Sequence, residues 1–198
     1  MIKYMLPALF LSIFTLQGNN SNSSNTIFNG ENLNGWKVPQ GNEKAGWYNV
    51  INNVLEIRSG PKKKGSVLWT EKEYGNFEME LEFRFIGGTI DSGIHLRNSD
   101  QIQIGISGSL KRDMTCSPYI TGRGYPVEAK NIQKLLKSKG WNQMKIRAVG
   151  PKYTVWLQGQ EVMNYESGSA KKEGPIGIQL HGNRSMKIDF RNLSINEI

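Results

Sequence analysis

The chain has 198 residues, of which 25 are Lys or Arg and 17 Asp or Glu, giving a formal net charge of +8. That length fits one domain. The basic excess raises nucleic acid as a partner, but the pattern argues against it. The lysines are scattered, and their tightest run, Lys62-Lys63-Lys64, falls in an expected loop. The aromatics interleave with apolar strand positions and form no basic-aromatic platform. Cys116 is the single cysteine, so no internal disulfide is available and the core must supply the stability. No activating partner adjoins its thiol in sequence.

Residues 1–18 read as a signal peptide: Lys3 supplies a positive start, and residues 6–16 are an apolar run too short for a stable anchor. Leu16 departs from the small-residue rule at the cleavage site. No cysteine lies near residue 18, so a lipoprotein anchor is not expected. No later run is long and apolar enough to span a bilayer, leaving no stable membrane anchor after cleavage. Residues 19–26 read as a flexible Asn/Ser tether and residues 27–198 as a single domain. The expected location is exported, periplasmic or extracellular.

From residue 27 onward the pattern is nearly all β. Strands at 47–50 and 54–58 flank Asn52-Asn53, a tight hairpin turn, and a short strand follows at 66–70. Residues 77–85 alternate without a fault, with Phe77, Met79, Leu81, Phe83 and Phe85 inward and Glu78, Glu80, Glu82 and Arg84 outward. Next come strands around His95 and Gln103. Further strands fall at 143–149, 153–157, 161–165, 176–181 and 186–195, with Gln158-Gly159 as a turn. In the last strand the inward set shifts from Met186, Ile188 and Phe190 to Leu193 and Ile195, which predicts a β-bulge at Arg191-Asn192. The fold class expected is an all-β, two-sheet antiparallel jelly-roll sandwich. The stretch 107–140 is too long for an ordinary connection. Its Met114, Tyr119, Tyr125 and Val127 predict an ordered lid with a short helix within 128–137.

The only two histidines occupy matching places. In the strand around His95, Ile94 and Leu96 oppose Gly93, His95 and Arg97; in that around His181, Ile176, Ile178 and Leu180 oppose Gly177, Gln179 and His181. A third segment sets Ile102, Ile104 and Ile106 against Gln101, Gln103 and Gly105. Each strand therefore has an apolar face and a chemically equipped one, which predicts one sheet whose outer surface is a site. Gly93, Gly105 and Gly177 weaken their strands, and either a close approach or sheet curvature accounts for them.

Several motifs together resemble a known family. Phe28-Asn29-Gly30-Glu31-Asn32-Leu33-Asn34-Gly35-Trp36 is similar to the opening of the 3-keto-disaccharide hydrolase domain family. The match continues through Tyr74-Gly75-Asn76-Phe77-Glu78, Ser92-Gly93-Ile94-His95-Leu96-Arg97, Gly140-Trp141-Asn142, the Gln158-Gly159 turn, Gly174-Pro175-Ile176-Gly177-Ile178-Gln179-Leu180-His181-Gly182 and Phe190-Arg191-Asn192. It covers roughly residues 27–198. The resemblance implies a concanavalin A-like sandwich that cleaves glycosides oxidised to a ketone at carbon 3, by hydrolysis or by elimination and hydration. It also implies a divalent metal in some members. Many members carry an acid two positions before the residue matching Gln103, and an aspartate just after that strand. This chain has Gln101 at the first position and Ile106 and Ser107 at the later ones.

A ketone at carbon 3 acidifies the hydrogen at carbon 2, so the chemistry needs a base, a donor for the enolate oxygen and an acid for the leaving group. His95 and His181 are the candidate bases or metal ligands, with structural hydrogen bonding as the alternative. Arg97 is the candidate enolate donor, against a cross-strand ion pair with Glu78, Glu80 or Glu82. Gln101, Gln103 and Gln179 suit sugar hydroxyls, although they also suit an ordinary sheet surface. The missing carboxylate is sought in the lid, at Glu128 ahead of Asp113, with Tyr125 beside the substrate. Trp156 is the expected stacking platform, with packing at the rim as the alternative. The partner expected is a carbohydrate or oxidised glycoside. The rival reading is a non-catalytic sugar-binding module on the same fold; an interaction domain has only the basic surface in its favour.

Overall fold

The computed structural model describes residues 25–198. The expected leader (1–18) and residues 19–24 of the tether lie outside the described residues. The described part holds β1 (Asn25–Thr26), β2 (Trp36–Lys37), β3 (Tyr48–Ile51), β4 (Val54–Arg58), β5 (Ser66–Tyr74), β6 (Phe77–Gly88), β7 (Asp91–His95), β8 (Gln101–Gly105) and β9 (Pro118–Tyr119). It continues with β10 (Asn142–Val149), β11 (Lys152–Leu157), β12 (Gln160–Glu166), β13 (Gly174–Leu180) and β14 (Met186–Glu197). Two one-turn helices, α1 (Asn42–Ala45) and α2 (Ile132–Leu135), interrupt the strands. The tether ends earlier than the sequence predicts, because Asn25 and Thr26 pair with Ile195 and Ser194. Among the described residues no helix is long and apolar enough to cross a membrane.

Local chemistry explains the turns. Asn52 and Asn53 both adopt left-handed φ values, 51° and 61°, the conformation a two-residue hairpin demands and Asn tolerates. Gln158 and Gly159 do the same at 51° and 79°, joining β11 to β12. The bulge in β14 falls where the phase slip predicts it: the register against β6 shifts between Arg191 and Ser194, and Asn192 takes φ 53°.

The strands form an eight-stranded sheet, β12-β11-β10-β6-β14-β4-β3 with β1 on β14, and a six-stranded sheet, β2-β5-β13-β7-β8-β9. The pairings in both are antiparallel. Their inner faces make the core. Phe77, Met79, Leu81 and Phe83 of β6, Ile146 of β10 and Ile188 and Phe190 of β14 meet Ile94, Ile102, Ile104, Ile176 and Ile178 of the smaller sheet, all fully or almost fully buried. Each such side chain contributes about 1.5–3 kcal/mol on burial. Phe85, expected inward, is only partly buried at the margin of that core.

Arg97 corrects the sequence reading. Strand β7 stops at His95 because Arg97 and Asn98 turn left-handed, at φ 54° and 53°. The turn takes the guanidinium off the face of His95 and into the end of the sandwich, where it is 0% exposed. Its Nη1 donates to the carbonyls of Gly150 (2.8 Å) and Lys171 (2.7 Å), and its charge lies 5.8 Å from the Phe77 ring. Nearby, buried Asp100 accepts hydrogen bonds from Tyr153 (3.0 Å), Ser167 (2.6 Å) and Ser169 (2.9 Å). These bonds tie the β7–β8 turn to β11 and to the loop before β13. Asp100→Ala deprives three hydroxyls of their common acceptor, so it should destabilise the fold on the order of 3 kcal/mol. Urea unfolding measures this, and a loss under about 1 kcal/mol would show that the knot is dispensable.

Candidate functional site

Residue alternation puts Asp91, Gly93 and His95 on the outer face of β7, Gln101 and Gln103 on that of β8, and Gly177, Gln179 and His181 on that of β13 and its continuation. Register then sorts them into rows. His95 stands between Gly177 and Gln101, and Gly93 faces Gln103. Asp91 faces Gly105.

The rows are bound by amides. The Gln101 side chain lies across Gly93, where any Cβ would collide with its carboxamide. From there Gln101 Nε2 shares its protons among Gln103 Oε1 (2.9 Å), Gln179 Oε1 (3.2 Å) and the Ser92 carbonyl (3.3 Å). Gln103 Nε2 in turn donates to Asp91 Oδ1 at 3.0 Å. The glycines the sequence left open are thus filled by the protein itself. Trp69 lies over Gly177, 2.5 Å from a Cβ there, and the Ile90 backbone presses on Gly105.

Above this floor is a cavity of about 360 Å³, within the size range of small-molecule sites. Asp91, Gln101, Gln103, Gln179, His181 and Arg184 line it from the sheet side, and Ser107, Gly108, Ser109, Tyr119 and Tyr125 from the lid. Asp91 Oδ2 is buried and lacks a hydrogen-bond donor, yet it lies 3.8 Å from His181 Nε2 and 3.4 Å from Arg184 Nε. His181 Nδ1 donates to the Gly182 carbonyl at 2.7 Å. This assigns the neutral ring's proton to Nδ1 and leaves Nε2 as the lone pair facing Asp91. Tyr119 and Tyr125 meet edge to face, 5.1 Å between centroids. Burial pushes the Tyr125 hydroxyl up to about 12, so it stays a neutral donor and acceptor.

The long 107–140 segment divides its labour. Its first half builds the cavity's lid wall, and its Pro118–Tyr119 strand completes the sheet edge. Its second half leaves for the other sheet, where Lys130 N–H donates to the Val162 carbonyl at 2.8 Å. Only Ile132–Leu135 of the expected helix forms. Cys116 is fully buried and burial holds its thiol well above the ordinary range, so it is not a nucleophile.

The remaining predicted residues go elsewhere. Glu128 is exposed and pairs with Arg112 through two hydrogen bonds, and that guanidinium holds its carboxyl below the usual carboxylate range. It does not line the cavity. Asp113 accepts from the Thr115 backbone N–H at 2.8 Å, shaping a turn. Trp156 sits on the eight-stranded sheet beside Glu80, Gln143 and Gly159, with Lys145 Nζ 5.4 Å from its ring centroid. His95 shares the outer face with His181 but not the cavity. Its ring packs against Trp69 at 5.3 Å, and its Nε2 is buried without a partner.

The residues do not fit a metal held between the two histidines. His95 pairs with Gly177, four residues or about 13 Å along the strand from His181, too far for ligands about 2 Å from one ion. The free oxygen of Asp91 already faces a guanidinium. Among the described residues no three His, Cys, Asp or Glu side chains are grouped to hold a metal ion.

Asp91, Arg184 and the lid residues Ser107, Gly108 and Ser109 line the cavity without having been singled out by the sequence, and Tyr119 was expected in the lid but not in the site. Asp91 carried a usable signal, since 91, 93 and 95 share one strand phase. Arg184 lies in the loop after β13, and Tyr119 on a strand two residues long; neither had any periodicity to reveal it.

Burial holds the His95 pKa below its ordinary 6.5, against a smaller opposing effect of the Ser99 backbone. The folded state therefore binds this proton less readily than the unfolded chain. Its contribution to stability is full above pH 6.5 and is lost as the pH falls below that value, levelling off beneath the folded-state pKa. His95→Phe should flatten the fall in melting temperature between about pH 7 and pH 5. Identical slopes for variant and wild type in scanning calorimetry would remove His95 from the acid sensitivity of the fold.

The profile of the 3-keto-alpha-glucoside-1,2-lyase-like domain matches residues 23–196. Among solved structures, a candidate glycosyl hydrolase from Parabacteroides distasonis ATCC 8503 superposes with a TM-score of 0.64 at 19% identity, covering 87% of this chain and 92% of that one. The β-glucanase of Bacillus licheniformis does so with a TM-score of 0.60 at 13% identity, covering 87% and 96%. The carbohydrate-binding module CBM66 of Bacillus subtilis gives 0.51 at 13%, covering 82% and 96%. At such identities the likeness is one of fold. A comparison with curated protein sequences finds no match. Because the profile spans nearly the whole described chain, the protein belongs to the 3-keto-alpha-glucoside-1,2-lyase-like domain family.

Proposed function

We propose that this protein is an exported enzyme that cleaves 3-keto-glycosides in the cavity between β7, β8, β13 and the 107–125 part of the lid. The observation that carries the reading is the buried, donorless Oδ2 of Asp91 beside the free Nε2 of His181. Amides suited to sugar hydroxyls surround the pair. A site that only packed would not leave a buried carboxylate oxygen unsatisfied. Membership of the family supports the substrate class, and the leader-like residues 1–18 support export.

In this reading His181 Nε2 takes the proton from carbon 2, and the electrons of that C–H bond form the enolate with the carbon 3 ketone. Collapse of the enolate restores the ketone, forms the carbon 1–carbon 2 double bond and expels the glycosidic oxygen, which takes up a proton. Water then adds across the double bond, hydroxyl at carbon 1 and hydrogen at carbon 2. Asp91 Oδ2, 3.8 Å from that same Nε2, stabilises by its charge the imidazolium formed in the first step, while the Gly182 carbonyl holds the opposite ring nitrogen. The family's usual acids are absent from 101, 106 and 107. Asp91, paired across the ladder with Gly105, brings a carboxylate to the same neighbourhood from the adjacent strand.

Incubating the mature protein with a 3-keto-glucoside and following release of the aglycone tests this. His181→Ala and Asp91→Asn should each lower turnover by roughly 10²- to 10⁴-fold with melting temperatures near that of the wild type. Glu128→Gln, removed from the cavity by its pairing with Arg112, should keep wild-type turnover. Saturable sugar binding without any cleavage would favour a carbohydrate-binding module instead.

A further inference from the structure

With Arg97 buried at the end of the sandwich, the enolate has lost the donor the sequence suggested for it, and another arginine occupies the cavity. Arg184 is held from below and above. Its backbone carbonyl accepts from Ser59 Oγ at 2.8 Å, the preceding Asn183 N–H donates to the Lys63 carbonyl (2.8 Å), and the following Ser185 carbonyl accepts from Thr89 N–H (2.9 Å). The loop carrying it is therefore fixed on both sides.

The guanidinium itself is poised and incompletely satisfied. Its Nε is buried without a hydrogen-bond partner, although Asp91 Oδ2, the other unsatisfied atom of the cavity, is only 3.4 Å away. A buried N–H donor and a buried carboxylate acceptor side by side, neither spent on the other, complement a ligand that presents an acceptor next to a donor. A ketone with a hydroxyl on the adjoining carbon has that arrangement. The hydroxyls of an unoxidised sugar can also donate and accept, but none of them develops negative charge when a neighbouring C–H is broken, and that charge is what a guanidinium distinguishes.

The lid completes the arrangement through a glycine. A Cβ on Gly108 would stand 2.5 Å from Arg184 Nη2 and 3.1 Å from Asp91 Oδ2. Gly108 does not have a left-handed φ, so conformation does not require glycine there. The space does: the missing side chain is what lets the guanidinium lie over Asp91 beneath the lid.

We propose that Arg184 is the catalytic donor to the carbon 3 oxygen, selecting α-hydroxy ketones over unoxidised sugars, and that Gly108 is a positioning residue that keeps room for it. This rests on the cleavage reading for its substrate, but not for its test. In the step concerned, the C2–H electrons move into the C2–C3 bond, the carbonyl π electrons move onto oxygen, and Arg184 N–H stabilises that charge while His181 holds the proton. No oxidant or reductant is consumed.

The measurement is exchange of the carbon 2 proton of 3-keto-glucose with D2O, followed by NMR, alongside cleavage of a 3-keto-glucoside. 3-Keto-glucose carries no aglycone, so its exchange reports enolate formation alone. Arg184→Gln should slow exchange and kcat together by about 10²- to 10³-fold, as loss of one oxyanion donor does, with a much smaller change in KM. Arg184→Lys should recover part of that loss. Gly108→Ala should slow exchange at least tenfold without altering the melting temperature, and it carries the test if Arg184→Gln fails to fold. Wild-type exchange rates in a folded Arg184→Gln overturn the donor, and wild-type rates in Gly108→Ala overturn the positioning role, even if cleavage stands. Exchange in the wild type without cleavage overturns the cleavage reading and leaves the donor standing. Absence of both in the wild type overturns both.

Discussion

The carboxamide of Gln101 lies flat on Gly93, and its position sets the level of everything above it. A side chain at 93 would lift the amide off the sheet, breaking its bonds to Gln103 and Gln179. Gln103 would then lose the partner that orients it toward Asp91. Because amide and carboxylate groups on a sheet face are mostly removed from water here, each needs its partner. The result is a rigid polar pavement on which one carboxylate oxygen is left free. Preorganisation of this kind is what electrostatic stabilisation of a developing charge requires, since nothing has to reorient during the reaction.

Charge distribution follows the same logic. On the outer face of the large sheet the acids and bases pair off: Asp189 with Arg58 and Arg84, Glu82 with Arg191, Glu78 with Lys145 and Arg147. Arg84 and Arg191 also lie against Trp141, 4.6 and 4.1 Å from its ring centroid. These groups satisfy one another across the strands. The cavity is the contrast, holding a carboxylate, an imidazole and a guanidinium at 3.4 to 3.8 Å without hydrogen bonds between them. Polar groups in contact but unspent mark the place where a ligand would complete the bonding.

Arg97 and His95 show how a strand pattern can mislead by a single residue. Both fall in phase with Gly93, and a strand continued to 97 would have set them side by side. The left-handed φ at 97 and 98 ends the strand and swings the guanidinium to two backbone carbonyls that accept from its Nη1. His95 keeps its face, yet Trp69 from β5 takes the space beside it. Trp69 is a packing residue. Its effect on the site is indirect, because it fills the space over Gly177 beside His95.

The sequence by itself determined most of the strands, the face that most of their side chains take, the Asn52-Asn53 and Gln158-Gly159 turns and the bulge in β14, because period two, Asn-Asn and Gln-Gly are local signals read within a few residues. It also singled out Gln101, Gln103, Gln179, His181 and Tyr125, five residues that the fold brings to one cavity. It did not determine which row of the sheet each residue occupies. That depends on register between strands far apart in the chain, as when His95 of β7 pairs with Gly177 of β13, and a strand pattern carries no record of its partner. Tertiary structure alone therefore separated the two histidines and sent Glu128 outward to Arg112. The same register and loop anchoring brought Asp91 and Arg184 to His181, since close approach in a sheet is fixed by cross-strand pairing and loop anchoring, neither of which is local.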